Sequence, residues 1–252
     1  MSLKVALIGP GRMGREIQAL AREQGVEVVA MLGRAETSSG GAAPRSDSEA
    51  GFPRSHGTPG EPSAADFAEA LAGADVAIDF TAPGAAVDNI RSCVAVECPV
   101  VVGTTGWYDR LPEVEALVAD SGGSVLWAAN FSTGVAVLRA LATRAGSLLA
   151  GLDDYDVHVV ETHHTAKRDA PSGTALVLRD DIVGSLGRPV EITSLRVGHV
   201  PGTHEVVVDG PFEQILLRHE ARDRRVFADG ALRAARWLPG RRGLFTFGDV
   251  FA

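Results

Sequence analysis

The sequence is short of lysine, cysteine and long hydrophobic runs. Only Lys4 and Lys167 carry an ammonium group, although lysine and arginine together number 24. The two cysteines, Cys93 and Cys98, have the spacing of neither a redox pair nor a zinc knuckle, so we expect reduced thiols. No apolar run approaches the roughly 20 residues that a membrane-spanning helix needs. The sequence therefore indicates neither a disulfide framework nor a membrane span.

Basic residues are fewer than acidic residues. The formal net charge of -8 argues against a nucleic-acid or anionic-membrane partner, so an anionic ligand would have to be bound by local groups. At 252 residues, 45% of them hydrophobic, the chain is long enough to bury the core of one large or two modest domains. The sequence enters a strand-like segment without a leader peptide, which predicts a cytoplasmic protein.

The N-terminal segment has the pattern of a βαβ unit. Leu3–Ile8 and Val26–Leu32 predict strands, and Arg15–Gln24 has helical spacing. The turn after the first strand consists of Gly9, Pro10, Gly11, Arg12, Met13 and Gly14. Glycines at this spacing permit a tight turn and a close backbone approach to a pyrophosphate, which then binds at the helix N-terminus. The pattern predicts a dinucleotide site, the alternative being a tight turn without a ligand.

The end of the second predicted strand bears on the choice of cofactor. NAD-preferring enzymes place an acid there, whereas NADP-preferring enzymes place an arginine against the 2′-phosphate. This chain has Gly33 and Arg34, which favours NADPH over NADH unless Arg34 is an ordinary solvated side chain. From Ala35 to about Ser63 the sequence is rich in glycine, serine and proline, which predicts a loop of open role.

Strands and helices continue to alternate after that loop. We predict strands at Asp75–Phe80, Val100–Val102 and Ser124–Ala128, and helices at Ala65–Leu71, Ala85–Glu97 and Pro112–Asp120. Alternation of this kind predicts an α/β fold with a Rossmann-like, doubly wound parallel sheet. Ligands of such sheets bind outside the carboxyl ends of the strands, so three loops are expected to face one ligand: Thr81–Pro83, Gly103–Gly106 and Ala129–Ser132.

The second half of the sequence has a different character. After a predicted helix at Thr133–Leu149, strand-like segments predominate, with one further helix at Ser172–Leu186; the strands are Tyr155–Glu161, Glu191–Val197, His204–Val208 and Phe212–Arg218. They predict a C-terminal α+β domain with an open mixed sheet. A helix from about Gly230 to Trp237 and a last apolar segment, Leu244–Phe247, are expected to return to the first domain. The predicted division is residues 1–130 and 228–252 for dinucleotide binding, and 131–227 for substrate binding and oligomerisation.

The densest group of reactive side chains lies between Thr162 and Thr174. It contains His163, His164 and Lys167, followed by Asp169-Ala170-Pro171-Ser172-Gly173-Thr174. Pro171 and Ser172 suit a helix start, whose free N–H groups can hold a carboxylate or can simply be capped. A lysine in a chain that uses arginine for nearly every positive charge suggests chemistry that needs a compact, deprotonable ammonium. Because adjacent residues on a strand point to opposite faces, His163 and His164 are not expected to share a metal ion.

Taken with these residues, the chain resembles the 4-hydroxy-tetrahydrodipicolinate reductase family, historically called dihydrodipicolinate reductase. The resemblance covers nearly the whole chain and rests on six motifs: Gly11–Gly14, Asp79–Thr81, Gly103–Gly106, Ala129–Val135, Glu161–Ala175 and Phe227–Ala231. The string from His163 to Thr174 is highly specific, whereas the nucleotide turn alone is not. The resemblance implies an NAD(P)H-dependent oxidoreductase of the diaminopimelate route to lysine.

The resemblance also implies roles for individual residues. His163 would be the general acid/base and Lys167 a second proton donor that orients the substrate. His164 would touch the substrate. One carboxylate of the substrate would be held by Ser172, Gly173 and Thr174. Residues from Gly9 to Gly14 would cradle the pyrophosphate. The remaining cofactor contacts would come from Arg34, Phe80, Thr81, Gly103, Thr104, Thr105, Ala128, Ala129, Asn130 and Phe131.

The implied reaction dehydrates a cyclic hydroxy-imine dicarboxylate and delivers hydride to C4, giving tetrahydrodipicolinate after protonation by His163. A homotetramer built through the sheet of the second domain, and closure between the domains, are also implied. One departure concerns Gly33, where family members commonly carry an acid. One alternative is an oxidoreductase of the sugar-dehydrogenase type. It is disfavoured because such enzymes usually carry a Glu-Lys-Pro motif, whereas this chain has Glu97-Cys98-Pro99. The other alternative is a non-enzymatic protein derived from a reductase.

Overall fold

The structure of the protein, a computed structural model, describes residues 2–33 and 64–251. Arg34 and the predicted loop from Ala35 to Ser63 lie outside the described residues. In chain order the elements are β1 (Lys4–Ile8), α1 (Arg12–Glu23), β2 (Glu27–Leu32), α2 (Ala64–Ala72), β3 (Val76–Asp79), α3 (Pro83–Ala95), β4 (Val100–Val102), α4 (Leu111–Ser121), β5 (Ser124–Trp127), α5 (Thr133–Leu149), β6 (Asp156–His163), α6 (Gly173–Leu186), β7 (Glu191–Arg196), β8 (Thr203–Asp209), β9 (Gln214–Glu220), α7 (Arg225–Trp237) and β10 (Gly243–Thr246).

The first sheet is parallel and has the order β10-β5-β4-β3-β1-β2. Alternate residues of its strands point to opposite faces, and both faces are covered, as is usual for parallel sheets. Leu7 of β1 packs in the core that α1 and α7 share, whereas its neighbour Ile8 packs in the core on the side of α3 and α4. This explains why the central strands are apolar at successive positions.

The second sheet has the order β7-β6-β8-β9. β7 runs parallel to β6, while β8 and β9 run antiparallel to their neighbours, so the sheet is mixed. Helices α5 and α6 pack against one face with a core that includes Leu138, Leu178, Val159 and Val206. The predicted fold class, a Rossmann-like parallel sheet plus an α+β part with an open mixed sheet, is confirmed.

The chain returns to the first sheet after β9, as predicted. α7 packs on α1, and β10 pairs with β5 at the sheet edge. The proposed domain limits at residues 130 and 228 stay a prediction. Among the described residues, no helix is long and apolar enough to cross a membrane.

Two helices begin three or more residues earlier than the sequence predicted. α1 begins at Arg12 instead of Arg15, because Gly11 already has the extended backbone of a helix N-cap. α7 begins at Arg225 instead of Gly230, and the carboxylate of Asp223 accepts a hydrogen bond from the Arg225 backbone N–H at 2.7 Å. An acidic residue two positions before a helix start is a usable signal, and it was missed here.

The last strand of the second sheet is also displaced. β9 begins at Gln214 instead of Phe212, because Gly210 donates its N–H to the carbonyl of Glu213 and closes the turn between β8 and β9. Phe212 lies in this turn and is 99% exposed. Its aromatic character is typical of a strand, but here it does not enter the sheet.

Candidate active site

The turn between β1 and α1 requires glycine at two positions. Gly9 has φ +106°, and a Cβ there would lie 2.2 Å from the carbonyl oxygen of Phe80. A Cβ on Gly14 would lie 2.1 Å from the carbonyl oxygen of Gly9. The first turn of α1 contains no acidic residue, and its N-cap, Gly11, supplies no side-chain hydrogen bond. The N–H groups at this helix start are therefore available to an anion.

Gly33 lies beside this turn at the end of β2. A Cβ on Gly33 would lie 2.6 Å from Cγ of Pro10. Any side chain at position 33 would thus press on the nucleotide turn. In this chain, therefore, position 33 has no room for a side chain unless Pro10 moves.

A buried carboxylate, Asp79, holds the loops after β3 and β4 together. It accepts hydrogen bonds from the hydroxyls of Thr81 (2.7 Å) and Thr104 (3.0 Å) and from the amide of Asn89 (3.0 Å). Thr104 in turn accepts the backbone N–H of Thr81 at 2.7 Å. Burial raises the pKa of Asp79 even though these hydrogen bonds lower it. Neither Asp79 nor Asn89 was predicted to have a role.

The same edge of the sheet gathers the other predicted cofactor residues. The ring of Phe80 lies against Gly103, where a Cβ would approach it to 2.1 Å, and its centroid is 6.0 Å from that of Phe131. Phe131 itself is buried in the core. Of the two adjacent threonines, Thr104 is buried and bonded inward whereas Thr105 is exposed. Thr105 is therefore the one whose side chain a ligand can reach.

Asn130 joins this edge to the second sheet. Its side-chain amide donates to the Thr174 hydroxyl at 3.1 Å, and its oxygen accepts the backbone N–H of Ser132 at 2.8 Å. Ser132 is the N-cap of α5, and Thr174 lies in the first turn of α6. Through this hydrogen bond, the loop after β5 contacts the start of α6 directly.

His163 is the last residue of β6 and is 8% exposed. Its Nδ1 hydrogen-bonds Oε2 of Glu161, two residues earlier on the same face of the strand. The other carboxylate oxygen, Oε1, accepts from Nη2 of Arg196 at 2.8 Å. Burial lowers the pKa of His163, and the carboxylate of Glu161 partly counteracts this. An imidazole oriented by a carboxylate is the arrangement of a general acid/base.

Lys167 follows in the loop after β6. Its ammonium contacts the carboxylate of Asp169 at 2.8 Å, and its side chain is 24% exposed. Arg196 holds the same loop through the carbonyl of Asp169, at 2.5 Å. His164, which precedes this loop, is half-buried. Lys167 is close enough to His163 to lower the pKa of the imidazole.

The N-terminus of α6 contains the predicted carboxylate-binding residues. Ser172 is its N-cap: the hydroxyl accepts the N–H of Ala175 at 3.2 Å, and the side chain is buried. The backbone N–H of Ser172 donates to Glu161 at 3.3 Å. Gly173 and Thr174 occupy the first turn, where N–H groups have no intrahelical acceptor. Because the polar groups of Ser172 are engaged inside the protein, Gly173 and Thr174 offer the more accessible donors.

Two further histidines, His204 and His219, lie in one row with Glu161 across the second sheet. His204 pairs with Glu161 across β6 and β8, and His219 pairs with His204 across β8 and β9. Each contacts an N-cap serine at 3.3 Å, His204 that of α6 and His219 that of α5. Burial, followed by the neighbouring His163 and His219, lowers the pKa of His204 to about 4. His204 is therefore neutral at physiological pH.

One group of side chains bears on the prediction that no metal is bound. Glu161, His163 and His204 each offer a ligand atom, and these atoms lie within 4.8 Å of one another. Both oxygens of Glu161 are already hydrogen-bonded, one to His163 and one to Arg196. A metal ion here would have to displace these partners. The prediction considered only the adjacent His163 and His164, so it missed this group.

Glu161, Arg196, His204 and His219 were not predicted as site residues. For Glu161 a signal existed, because residues two apart on a strand share a face and Glu161 is two residues before His163. Arg196, His204 and His219 reach the site through strand pairing. Their register depends on contacts distant in sequence, and no local pattern discloses it.

Comparison with known proteins assigns both halves of the chain. Two family models match: that of the N-terminus of dihydrodipicolinate reductase over residues 3–131, and that of its C-terminus over residues 134–251. A 4-hydroxy-tetrahydrodipicolinate reductase of Thiobacillus denitrificans is 36% identical, covering 99% of this chain and 98% of its own length. One of Anaeromyxobacter dehalogenans is 37% identical, covering 98% and 97%.

Solved structures share the fold. A dipicolinate-bound dihydrodipicolinate reductase from Paenisporosarcina sp. TG-14 superposes with a TM-score of 0.77 at 22% identity, covering 98% of each chain. A DAP dehydrogenase of C. glutamicum, in complex with DAP, gives a TM-score of 0.59 at 13% identity, covering 98% of this chain and 93% of its own. At these identities the likeness concerns the fold alone.

Proposed function

The chain belongs to the dihydrodipicolinate reductase family of oxidoreductases, and from this we propose that it reduces 4-hydroxy-tetrahydrodipicolinate to tetrahydrodipicolinate with NADPH or NADH. The reaction would be the one that the sequence resemblance implies, in the diaminopimelate route to lysine. The observation that carries the proposal is the convergence of three features. Glu161 orients His163 and also accepts the backbone N–H of Ser172 at the start of α6, and Thr174 in the first turn of α6 is hydrogen-bonded to Asn130 in the loop after β5.

The residues of the β1–α1 turn fit a dinucleotide. The glycine positions allow close backbone approach, and the uncapped start of α1 has N–H groups suited to a pyrophosphate. The cofactor, when bound, supplies the hydride. The lack of an acid at Gly33 favours NADPH, because an acid there would hold the ribose hydroxyls of NADH and would repel a 2′-phosphate. The role proposed for Arg34 concerns a residue outside the described part of the chain.

The substrate is a dicarboxylate, and the second sheet supplies groups for one of its carboxylates. The first-turn N–H groups of Gly173 and Thr174 lie at the positive end of the α6 dipole. Lys167 adds a positive charge close by, and His164 stands next to the catalytic imidazole in sequence. In a chain of net charge -8, such local groups are what can hold an anion.

The proton that completes the reduction comes, in this proposal, from His163. Its Nδ1 faces Glu161, so its Nε2 is the nitrogen that gives and regains the proton. Lys167 is the second donor and orients the substrate, which requires an ammonium that can lose its proton. Ser172 acts by holding the start of α6 in place.

We also propose that the protein is a homotetramer built on the outer face of the second sheet. Helices α5 and α6 cover the inner face, whereas Leu195 and Leu216 on the outer face are 45% and 51% exposed. Apolar side chains on an uncovered sheet face are typical of an interface. Residues 131–227 would accordingly form the substrate-binding and oligomerising domain and would close on the remainder during turnover.

The proposal is tested by two measurements on the purified protein. Consumption of NADPH and NADH is followed with freshly formed 4-hydroxy-tetrahydrodipicolinate, and both cofactors are titrated with and without pyridine-2,6-dicarboxylate. We expect substrate-dependent oxidation and tighter cofactor binding when the planar dicarboxylate is present. The proposed function would be refuted if neither cofactor supported turnover and if the dicarboxylate did not change the affinity for either cofactor.

A further inference from the structure

Glu161 is fully buried and all of its hydrogen-bonding contacts lead to the proposed site. Oε2 accepts from Nδ1 of His163, while Oε1 accepts from Arg196 at 2.8 Å and from the backbone N–H of Ser172 at 3.3 Å. We propose that Glu161 is a positioning residue of the reductase, which fixes the His163 imidazole with Nδ1–H inward and stabilises its protonated form. This inference rests on the proposed function and adds a residue to its machinery.

The hydrogen bond determines which nitrogen reacts. A carboxylate can only accept, so the nitrogen facing it must carry a hydrogen, and the other nitrogen exchanges the catalytic proton. Nε2 of His163 lies on the side of Gly202, where a Cβ would approach it to 3.0 Å. Because Gly202, the residue before β8, has no side chain, it does not crowd the reactive edge of the ring.

The carboxylate of Glu161 is kept ionised by its surroundings. Burial alone would raise its pKa, but hydrogen bonds from Arg196 and His163 outweigh this and lower it. The guanidinium of Arg196 is itself mostly buried and contacts the same oxygen as Ser172. The negative charge beside His163 is therefore present over the pH range in which the enzyme would work.

The charged and titratable groups around His163 come from several elements. Glu161 faces it from β6, Lys167 from the following loop, Arg196 from β7, and His204 from β8, at 5.2 Å between ring centroids. Burial first, and then Lys167 and Arg196, lower the pKa of His163; Glu161 raises it. His204, with a pKa of about 4, does not compete for the proton near neutrality. α6 contributes Ser172, which is uncharged. Glu161 is thus the group that favours imidazolium.

The substitution Glu161→Gln separates this role from a structural one. The glutamine oxygen can still accept from Arg196 and Ser172, so the start of α6 keeps its anchor. The amide nitrogen would face Nδ1 of His163 and, being a donor, would make Nδ1 an acceptor and shift the hydrogen to Nε2. The variant therefore inverts the tautomer while keeping the shape of the side chain.

The experiment compares wild type, Glu161→Gln and the control Glu113→Gln, which also removes a carboxylate bonded to arginines, Arg91 and Arg110, at a residue outside the proposed site. Activity is measured against pH with 4-hydroxy-tetrahydrodipicolinate, and the His163 ring is titrated by NMR. For Glu161→Gln we expect turnover to fall about 100-fold or more. The alkaline limb of kcat/KM and the NMR midpoint should both move down by about 1 to 3 pH units. KM and NADPH affinity should change less than about threefold.

A second variant keeps the inference testable if Glu161→Gln folds poorly. Glu161→Asp keeps the negative charge near Arg196 but withdraws the carboxylate from the imidazole, so an intermediate loss and a smaller shift of the alkaline limb are expected. An unchanged NMR midpoint of His163 and wild-type turnover in both variants would overturn the inference. If wild type itself shows no turnover, the proposed function fails, whereas the NMR shift still decides the pairing of Glu161 with His163.

Discussion

The side-chain amide of Asn130 donates a hydrogen bond to the hydroxyl of Thr174 across 3.1 Å. Asn130 lies in the loop between β5 and α5. Thr174 lies in the first turn of α6, the helix that we propose to hold a substrate carboxylate. A group that we propose to hold the substrate is therefore bonded directly to a loop that we propose to line the cofactor. In that proposal, this contact would provide a physical route by which the binding of one ligand favours the other.

Removing either partner of this bond should weaken dicarboxylate binding in the presence of NADPH. For Asn130→Ala and Thr174→Val we expect the Kd of pyridine-2,6-dicarboxylate to rise about three- to tenfold, the worth of one hydrogen bond. The double variant should lose little more than either single one, because both remove the same contact. Isothermal titration calorimetry measures all four proteins. Fully additive losses would show that the two residues act independently.

Loss of the two proposed proton donors should abolish chemistry and spare the cofactor. His163→Gln and Lys167→Ala should each lower turnover by about 10²- to 10⁴-fold, the contribution typical of general acid–base catalysis. NADPH affinity should remain near that of wild type, because neither residue belongs to the nucleotide turn. Stopped-flow absorbance and fluorescence titration provide the two readouts. Near-normal turnover in either variant would exclude that residue as a donor.

Replacement of Lys167 by arginine tests why the ammonium is there. Arginine can still pair with Asp169, which contacts the lysine at 2.8 Å, so the loop should keep its shape. A guanidinium does not give up its proton, and it is bulkier than an ammonium. We expect turnover of Lys167→Arg to be nearly as low as that of Lys167→Ala, at an unchanged melting temperature. Recovery of more than about a tenth of wild-type activity would mean that charge alone suffices.

The fold was predictable because its signals are local. Apolar runs such as Val100–Val102, helical spacing and the glycine turn each lie within a few residues, and together they defined both sheets. Element ends were less accurate where a single contact decides them. α7 begins five residues before the predicted Gly230, where the Asp223 carboxylate accepts the N–H of Arg225, and the turn closed by Gly210 leaves Phe212 outside β9.

An acid at position 33 should not convert the enzyme to NADH use. In Gly33→Asp the new Cβ would meet Pro10 at 2.6 Å, so the nucleotide turn must shift. We expect the affinity for NADH to fall by about tenfold, as overpacking of this kind costs about 1 to 3 kcal/mol, and the affinity for NADPH to fall further, because the new carboxylate also repels the 2′-phosphate. Adding Pro10→Ala should restore part of the NADH affinity by relieving the contact. Stronger NADH binding in Gly33→Asp alone would contradict this steric explanation.

His204 should make the protein sensitive to acid. Its pKa is about 4 in the folded protein against 6.5 ordinarily, so the unfolded chain binds the proton more readily. The stability contributed by neutral His204 is complete above about pH 6.5 and is lost as the pH falls towards 4. At about 1.4 kcal/mol per pH unit, this interval corresponds to about 3 kcal/mol.

The measurement is urea unfolding of wild type, His204→Gln and the exposed control His199→Gln between pH 7.5 and 4.5. We expect His204→Gln to lose distinctly less stability on acidification than the other two proteins. Parallel pH profiles for all three would assign the acid sensitivity to other groups.

The site was only partly predictable. His163, Lys167 and the start of α6 belong to one continuous segment, so their proximity was evident from the sequence. Glu161 lay in the same segment and could have been found from its shared strand face. Arg196 and His204 reach the imidazole from β7 and β8, and only the pairing of these strands with β6 brings them there.

The return of β10 to the edge of β5 has a consequence for how the protein is made. α7 provides buried residues, among them Ala231 and Leu232, to the core under β1, and the sheet gains its last strand only with Gly243–Thr246. The second sheet is encoded entirely between these parts, in residues 156–220. During translation, the second sheet and its helices leave the ribosome in full while the first sheet still lacks α7 and β10. Completion of the first sheet therefore depends on residues synthesised after the second sheet, and a chain terminated after β9 would have an open apolar face.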